Sequence, residues 1–287
     1  MSDTIGWIGI GNLGGAIVEV LLAAGIDVTV FDVNAERMAA LQAHGARKAS
    51  SPADMAVGVN QIFATIPNDK ILAELVGGEA GLARTATSET MFVDLSTVSP
   101  QASAKVAAIL APTGASYLRA AVSGSTASVA KGMLTIYASG PRDAFERSLP
   151  ILRRVSRRQD YVGQAEEARI FKLVINTIVG AIPVLLSEAL SLGTRNGLDW
   201  SALVDAISSS VVASPLLGYK AEAIKAKDWT PTAQLALGIK DLSLALEAGG
   251  ENAMPITRLV RDRYIDATEQ GYGDLDFFAL VTGIGRK

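Results

Sequence analysis

Apolar and polar positions follow two rhythms along the first half of the chain. Short continuous apolar runs occur at Ile5-Gly6-Trp7-Ile8-Gly9-Ile10, at Val28-Thr29-Val30-Phe31-Asp32, and across residues 61–66 and 91–95. Runs of this length without alternation predict strands covered on both faces. Between them, residues 13–24 and 35–44 have helical character, and each stretch stops at a glycine, Gly25 or Gly45. Glycine accepts the left-handed conformation that commonly ends a helix. Strands spaced by helices predict βαβ units and a parallel sheet. The pattern continues less regularly, with strands expected at 116–118, 134–138 and 160–162 and a helix started by proline at 141–152.

Beyond residue 163 the strand signal ends. A long helix is expected from about 164 to near Gly193, and further helices at 200–209, 235–248 and 255–270. The change predicts two domains, an α/β domain over 1–163 and an all-α domain over 164–287. No flexible linker separates them, so the long helix itself is expected to join them. Residues 170–192 of that helix are apolar enough to suggest a membrane span, but Lys172, Asn176, Pro183 and Glu188 interrupt them. A buried helix in a protein without a membrane partner is the expectation.

Composition narrows the functional classes. At 287 residues the chain has room for two domains. It contains no cysteine, which excludes disulfides, thiolate metal sites and thiol catalysis. Its one histidine, His44, excludes a multi-histidine metal site; no metal is expected, and His44 reads as a surface residue. Twenty-six basic against 29 acidic residues give a net charge of −3, a poor balance for binding nucleic acid. The start, Met1-Ser2-Asp3-Thr4, lacks the basic flank of a signal peptide, so a cytoplasmic location is expected.

Gly9-Ile10-Gly11-Asn12-Leu13-Gly14 follows the first strand and opens the first helix, and Asp32 ends the second strand. In that context G-x-G-x-x-G is the dinucleotide-binding fingerprint. Gly9 permits the tight turn, Gly11 lets backbone approach a pyrophosphate, and Gly14 lets helix and strand pack closely. The first amides of the helix, beginning at Asn12 and Leu13, would face the phosphates. Asp32 is placed to accept hydrogen bonds from the adenosine ribose and would repel a 2′-phosphate. Because Val33-Asn34 follow it instead of an arginine, NAD is favoured over NADP, with Arg37 the nearest cation that complicates that choice.

Lys172 and Asn176 stand four residues apart in an otherwise apolar helix, so both leave it from one face. Burial disfavours the charged form of a lysine, and a lysine so tuned can exchange a proton with a substrate oxygen. Snorkelling or a structural ion pair would explain Lys172 equally well without chemistry. Ser123-Gly124 offers a hydroxyl and loop amides suited to a carboxylate, or is an ordinary turn. Ser96-Thr97 follows a strand at the expected ligand edge of the sheet, with helix capping as the plainer alternative.

Together with the glycine turn, the ordered segments Asp94-Leu95-Ser96-Thr97-Val98-Ser99-Pro100, Ala121-Val122-Ser123-Gly124-Ser125, Lys172-Leu173-Val174-Ile175-Asn176 and Lys240-Asp241 resemble the β-hydroxyacid dehydrogenase family, which includes 3-hydroxyisobutyrate dehydrogenase and tartronate semialdehyde reductase. The resemblance spans nearly the whole chain. It implies a Rossmann-type domain, an all-α domain behind a long interdomain helix, and a homodimer or homotetramer formed through the helical half. It implies NAD(P)-dependent oxidation of a small hydroxy acid at CH–OH, with Lys172 as general acid/base. In that reading Asn176 holds the substrate hydroxyl or orients Lys172, and Ser123 and Gly124 grip the acidic end. Ser96 and Thr97 line the nicotinamide side, and Lys240, positioned by Asp241, reaches cofactor or substrate across the cleft. Arg119, Ala121 and Ser125 replace the usual acid, proline and glycine, residues 164–168 lack the usual glycines, and Thr177 replaces a second asparagine. These departures suggest an altered pocket in a divergent member. An NADPH-dependent imine reductase and a non-catalytic dinucleotide sensor are the alternatives; retention of Lys172 favours alcohol chemistry.

Overall fold

A computed structural model describes residues 4–284. The order is β1 (Ile5–Ile8), α1 (Asn12–Ala23), β2 (Val28–Phe31), α2 (Ala35–Ala43), β3 (Arg47–Lys48), α3 (Pro52–Gly58), β4 (Gln61–Ala64), α4 (Asp69–Gly77), β5 (Met91–Asp94), α5 (Pro100–Leu110), β6 (Ser116–Ser123), α6 (Thr126–Val129), β7 (Leu134–Ser139), α7 (Arg142–Val155) and β8 (Ser156–Gly163). Five helices follow: α8 (Glu167–Arg195), α9 (Trp200–Ser209), α10 (Pro215–Ala226), α11 (Leu235–Gly249) and α12 (Pro255–Ala267). The chain divides into two compact units, Met1–Lys172 and Leu173–Lys287, so the division falls within α8.

The first unit is built on one eight-stranded sheet in the order β3-β2-β1-β4-β5-β6-β7-β8. All pairings are parallel except β6 with β7. From β1 the chain moves outward to β2 and β3, then returns to place β4 on the other side of β1. This reversal is the place where open α/β sheets bind ligands, at the carboxyl ends of the strands. Each central strand is covered on both faces, which explains the unbroken apolar runs. Trp7, Phe63, Val93 and Leu118 face one core, and Ile8, Ile62, Phe92 and Tyr117 face the other.

Asn34, Ser51, Asn68 and Ser99 cap α2 to α5 through their side chains. Helices α3 to α6 and α10 go beyond the periodicity reading, as do the two-residue β3 and the full length of β6 and β8. Most are short, and their capping residues look like loop residues in sequence. In β8 the run Ser156-Arg157-Arg158-Gln159-Asp160 is polar because β8 is the sheet edge, where charged side chains discourage pairing with another chain.

The second unit is helical, with Leu190, Val204, Leu217, Leu235, Leu242, Val260, Tyr264 and Phe278 in its core. A buried ion pair crosses it: Lys220 Nζ meets Asp276 Oδ2 at 2.6 Å. The expectation that α8 is a buried helix is corrected. Leu173, Ser187 and Leu190 are buried, but Ile178, Leu185 and Leu192 are 62%, 69% and 68% exposed. By length and composition α8 is also the one helix, among the described residues, apolar enough to cross a membrane, although only 33% of its most apolar window is buried.

Candidate active site

The glycine turn sits at the exit of β1. The Gly9 amide donates to Phe31 O at 2.9 Å. Gly9 has φ of 83°, and a Cβ there would stand 2.3 Å from Thr65 O. A Cβ on Gly14 would stand 2.2 Å from both Gly9 O and Thr65 Oγ1. Thr65, at the exit of β4, is a working residue that the sequence reading missed. Its hydroxyl donates to Gly9 O at 2.5 Å and accepts from Trp7 Nε1 at 3.1 Å. The signal available in sequence was only a small polar residue after an apolar run.

Helix α1 starts at Asn12 and Leu13, and unlike α2 to α5 its N-cap, Gly11, provides no side-chain hydrogen bond. Around Gly11 the nearest atom to an added Cβ is Arg37 Nη1 at 3.7 Å. An open glycine, uncapped helix amides and a nearby guanidinium fit a pyrophosphate. Asp32 is occupied in a way the sequence did not show: Oδ2 accepts from the Ile10 amide and Oδ1 from the Asn34 amide, each at 2.8 Å. A carboxylate has about four acceptor sites, so these bonds orient Asp32 and leave it capacity for ribose hydroxyls.

At the exit of β5, Ser96 is buried; its amide donates to Asp94 Oδ1 at 2.9 Å and its hydroxyl accepts from the Ile66 amide at 2.8 Å. Thr97 follows, half-buried, and Ser99 caps α5. Under this turn lies a charged cluster absent from the sequence reading. Arg169, in the first turn of α8, and Asp94 are 1% and 0% exposed and form an ion pair. Tyr117 OH donates to Asp94 Oδ2 at 3.0 Å. Burial, reinforced by Asp94, pushes the Tyr117 phenol upward, so it stays neutral. Burial opposes the charge of Arg169, but Asp94, Tyr117 and Glu166 together outweigh it and hold the guanidinium above its ordinary value.

The same cluster explains a departure expected to reshape a pocket. Arg119 points instead into the protein, where it pairs with Glu166 and lies 4.3 Å over the Tyr117 ring. Arg119, in place of the usual acid on β6, and Glu166, in the glycine-poor segment before α8, are thus the two halves of one ion pair. Ala121 lets β6 continue, paired with Tyr137 of β7, and Ser125 caps α6 in a reciprocal arrangement with Ser128.

Ser123 ends β6 half-buried, and Gly124, exposed with φ of 137°, begins the loop behind it. Lys172 is half-buried on α8, beside Phe171, which stacks on Tyr137 at 5.6 Å. In the second unit, Asn176 Nδ2 donates to Asp241 Oδ2 at 2.6 Å, and Lys240 Nζ lies 3.2 Å from Asp241 Oδ1. Asp241 therefore orients both Asn176 and Lys240. His44 is exposed at the end of α2. No group of metal-ligating side chains occurs among the described residues.

Residues 4–163 match the family described as the NAD binding domain of 6-phosphogluconate dehydrogenase. Residues 167–284 match that described as NAD-binding of NADP-dependent 3-hydroxyisobutyrate dehydrogenase. The chain belongs to the β-hydroxyacid dehydrogenase family. Within it, the 2-(hydroxymethyl)glutarate dehydrogenase of Eubacterium barkeri is 31% identical over 98% of this chain and 94% of its own length. The glyoxylate/succinic semialdehyde reductase 1 of Arabidopsis thaliana is 29% identical over 98% of each chain. The 3-hydroxyisobutyrate dehydrogenase of Mycobacterium tuberculosis, solved with L-serine, superposes with a TM-score of 0.87 at 24% identity, covering 100% of both chains; it supports the fold. A β-hydroxyacid dehydrogenase thus has its Rossmann-type, NAD(P)-binding domain first and its helical domain after it.

Proposed function

We propose that this protein oxidises a small β-hydroxy acid at its CH–OH carbon, or reduces the matching semialdehyde, with Lys172 as general acid/base. The observation that carries the reading is the placement of Lys172 one turn beyond Arg169, whose guanidinium donates to Ser96 O at 2.6 Å. That bond ties the lysine's helix to the ligand edge of the sheet.

Gly9, Gly11, Gly14 and the first amides of α1 would hold the coenzyme's pyrophosphate, and Asp32 its ribose. Ser96 and Thr97 would lie along its nicotinamide half. The bound nicotinamide coenzyme supplies the hydride acceptor, or the donor in reverse. In oxidation the hydroxyl proton passes to neutral Lys172 Nζ, the C–H pair leaves as hydride, and the carbon–oxygen double bond forms. In reduction the protonated amine returns that proton. The Ser123 hydroxyl and the amides of the Gly124 loop are suited to the substrate carboxylate. Asn176 spends an amide N–H on Asp241, which leaves its amide oxygen as an acceptor.

Asp32 supports NAD as the preferred coenzyme. Arg37, beside Gly11, supports a second reading in which a 2′-phosphate is also accepted. The exposed stripe Ile178, Leu185 and Leu192 recurs every seven residues, the spacing of helix-on-helix packing. It supports a homo-oligomer in which a second copy covers α8.

The test is a panel of hydroxy acids, semialdehydes and cyclic imines with NAD and NADP, read by absorbance of the reduced nicotinamide. Lys172→Ala should lower kcat by about 10²–10⁴ while leaving coenzyme affinity nearly unchanged. Normal turnover in that variant would remove the assignment. Turnover of imines alone would favour the reductase alternative, and coenzyme binding without turnover would favour a sensor.

A further inference from the structure

A lysine amine on a flexible four-carbon stem does not position itself. To exchange a proton it must lie about 2.6–3.2 Å from the reacting oxygen, so the helix beneath it must be held firmly. Lys172 is near the start of α8, where helices tend to fray. Two anchors hold that start to the sheet. The Ala168 amide donates to Ser139 Oγ at 3.1 Å, at the end of β7. The second anchor is Arg169.

A guanidinium has five N–H donors, and Arg169 uses all of them. Nε donates to Ser103 Oγ at 3.3 Å. Nη1 donates to Ser96 O at 2.6 Å and Asp94 O at 3.4 Å. Nη2 donates to Asp94 Oδ2 at 2.5 Å and Tyr117 OH at 3.0 Å. Two of the five acceptors are backbone carbonyls at the exit of β5, and Asp94 also holds the Ser96 amide. One side chain therefore ties the Ser96 turn to the helical turn that carries Lys172. Stability alone is a weak reason for such a hub, because a buried ion pair is often replaceable by apolar side chains without loss. What apolar packing would not reproduce is the directional tie to the turn.

We propose that Arg169 is the positioning residue of the reaction, setting Lys172 in register with the Ser96-Thr97 turn; this rests on the acid/base reading of Lys172. Lysine at 169 keeps the charge but loses the planar fork. Glu166→Gln serves as the control, because it weakens the neighbouring Arg119–Glu166 pair without touching Ser96 or Asp94.

Melting temperature, kcat, KM and the coenzyme Kd are measured for both variants. Rates are normalised to coenzyme-binding sites counted by calorimetry. Arg169→Lys should lower kcat per site by about 10- to 100-fold, with KM and Kd within about threefold of the parent. Glu166→Gln should lower the melting temperature and keep kcat per site within about twofold. Parental kcat per site in Arg169→Lys overturns the proposal. So does a loss of kcat equal to that of the control at the same loss of melting temperature. Should Arg169→Lys not fold, Tyr117→Phe withdraws one acceptor from the same hub. It should lower kcat per site by at least about threefold, and an unchanged kcat overturns the proposal. The two readings fail separately: an inactive Lys172→Ala with a normal Arg169→Lys removes only the positioning role, whereas an active Lys172→Ala removes the chemistry beneath it.

Discussion

Replacing Gly14 by alanine should separate coenzyme binding from general stability. The added methyl would sit 2.2 Å from Gly9 O and Thr65 Oγ1, and 3.0 Å from Trp7 Nε1. Ordinary contact begins near 3.4 Å, so the turn must open by 3.4 − 2.2 = 1.2 Å. Two of the crowding atoms belong to backbone or to the short Thr65 side chain, neither of which can swing far. The Thr65–Gly9 hydrogen bond, at 2.5 Å, would be strained by the same movement. Overpacking of this kind costs about 1–3 kcal/mol. At about 1.4 kcal/mol per tenfold, coenzyme affinity falls by roughly 5- to 150-fold if the turn alone absorbs the strain. Calorimetric titration of the reduced coenzyme measures it. Gly58→Ala is the control, because no heavy atom lies within 4 Å of its added methyl. It should leave Kd unchanged and raise stability by up to about 1 kcal/mol through helix propensity. Parental affinity in Gly14→Ala would show that the glycine turn does not cradle the coenzyme.

Two further outcomes test the helical unit. Lys220→Met strands the Asp276 carboxylate, which is 2% exposed, and should cost about 3–5 kcal/mol at pH 7. Burial acts to raise the Asp276 pKa, but the Lys220 bond, the Thr232 and Phe278 amides and the Lys220 charge together hold it below its ordinary value. Its contribution is complete above the ordinary carboxylate value of about 4 and is lost as pH falls through the lower folded value. The difference in melting temperature between parent and variant should therefore narrow in acid, and a constant difference would refute the pairing. Leu185→Glu places a charge in the exposed α8 stripe and should break the proposed homo-oligomer into monomers by light scattering; an unchanged mass would refute an interface through that stripe.

Much of the architecture was legible because its signals are local. The β1 turn announces itself in six consecutive residues, and its neighbours β2 and β4, with β5 beyond, are apolar runs that only a doubly covered sheet requires. Lys172 and Asn176 were legible as polar residues on an apolar helix. The bond from Asn176 to Asp241 joins residues 65 positions apart and left no local trace. Arg119 and Glu166 looked like separate irregularities, because nothing within a few residues of either shows that they meet.

The alternation of strand and helix, the glycine turn and the charged residues set along apolar segments are all written locally in the chain. Periodicity, turn chemistry and composition act over a few residues, and they suffice for these. The folded arrangement alone reveals that β7 and β8 run antiparallel to the rest of the sheet, that Asp94 meets Arg169 across 75 residues, and that one side of α8 faces outward. Those outcomes depend on which surfaces the folded chain brings together and on the need to neutralise charge where water is excluded.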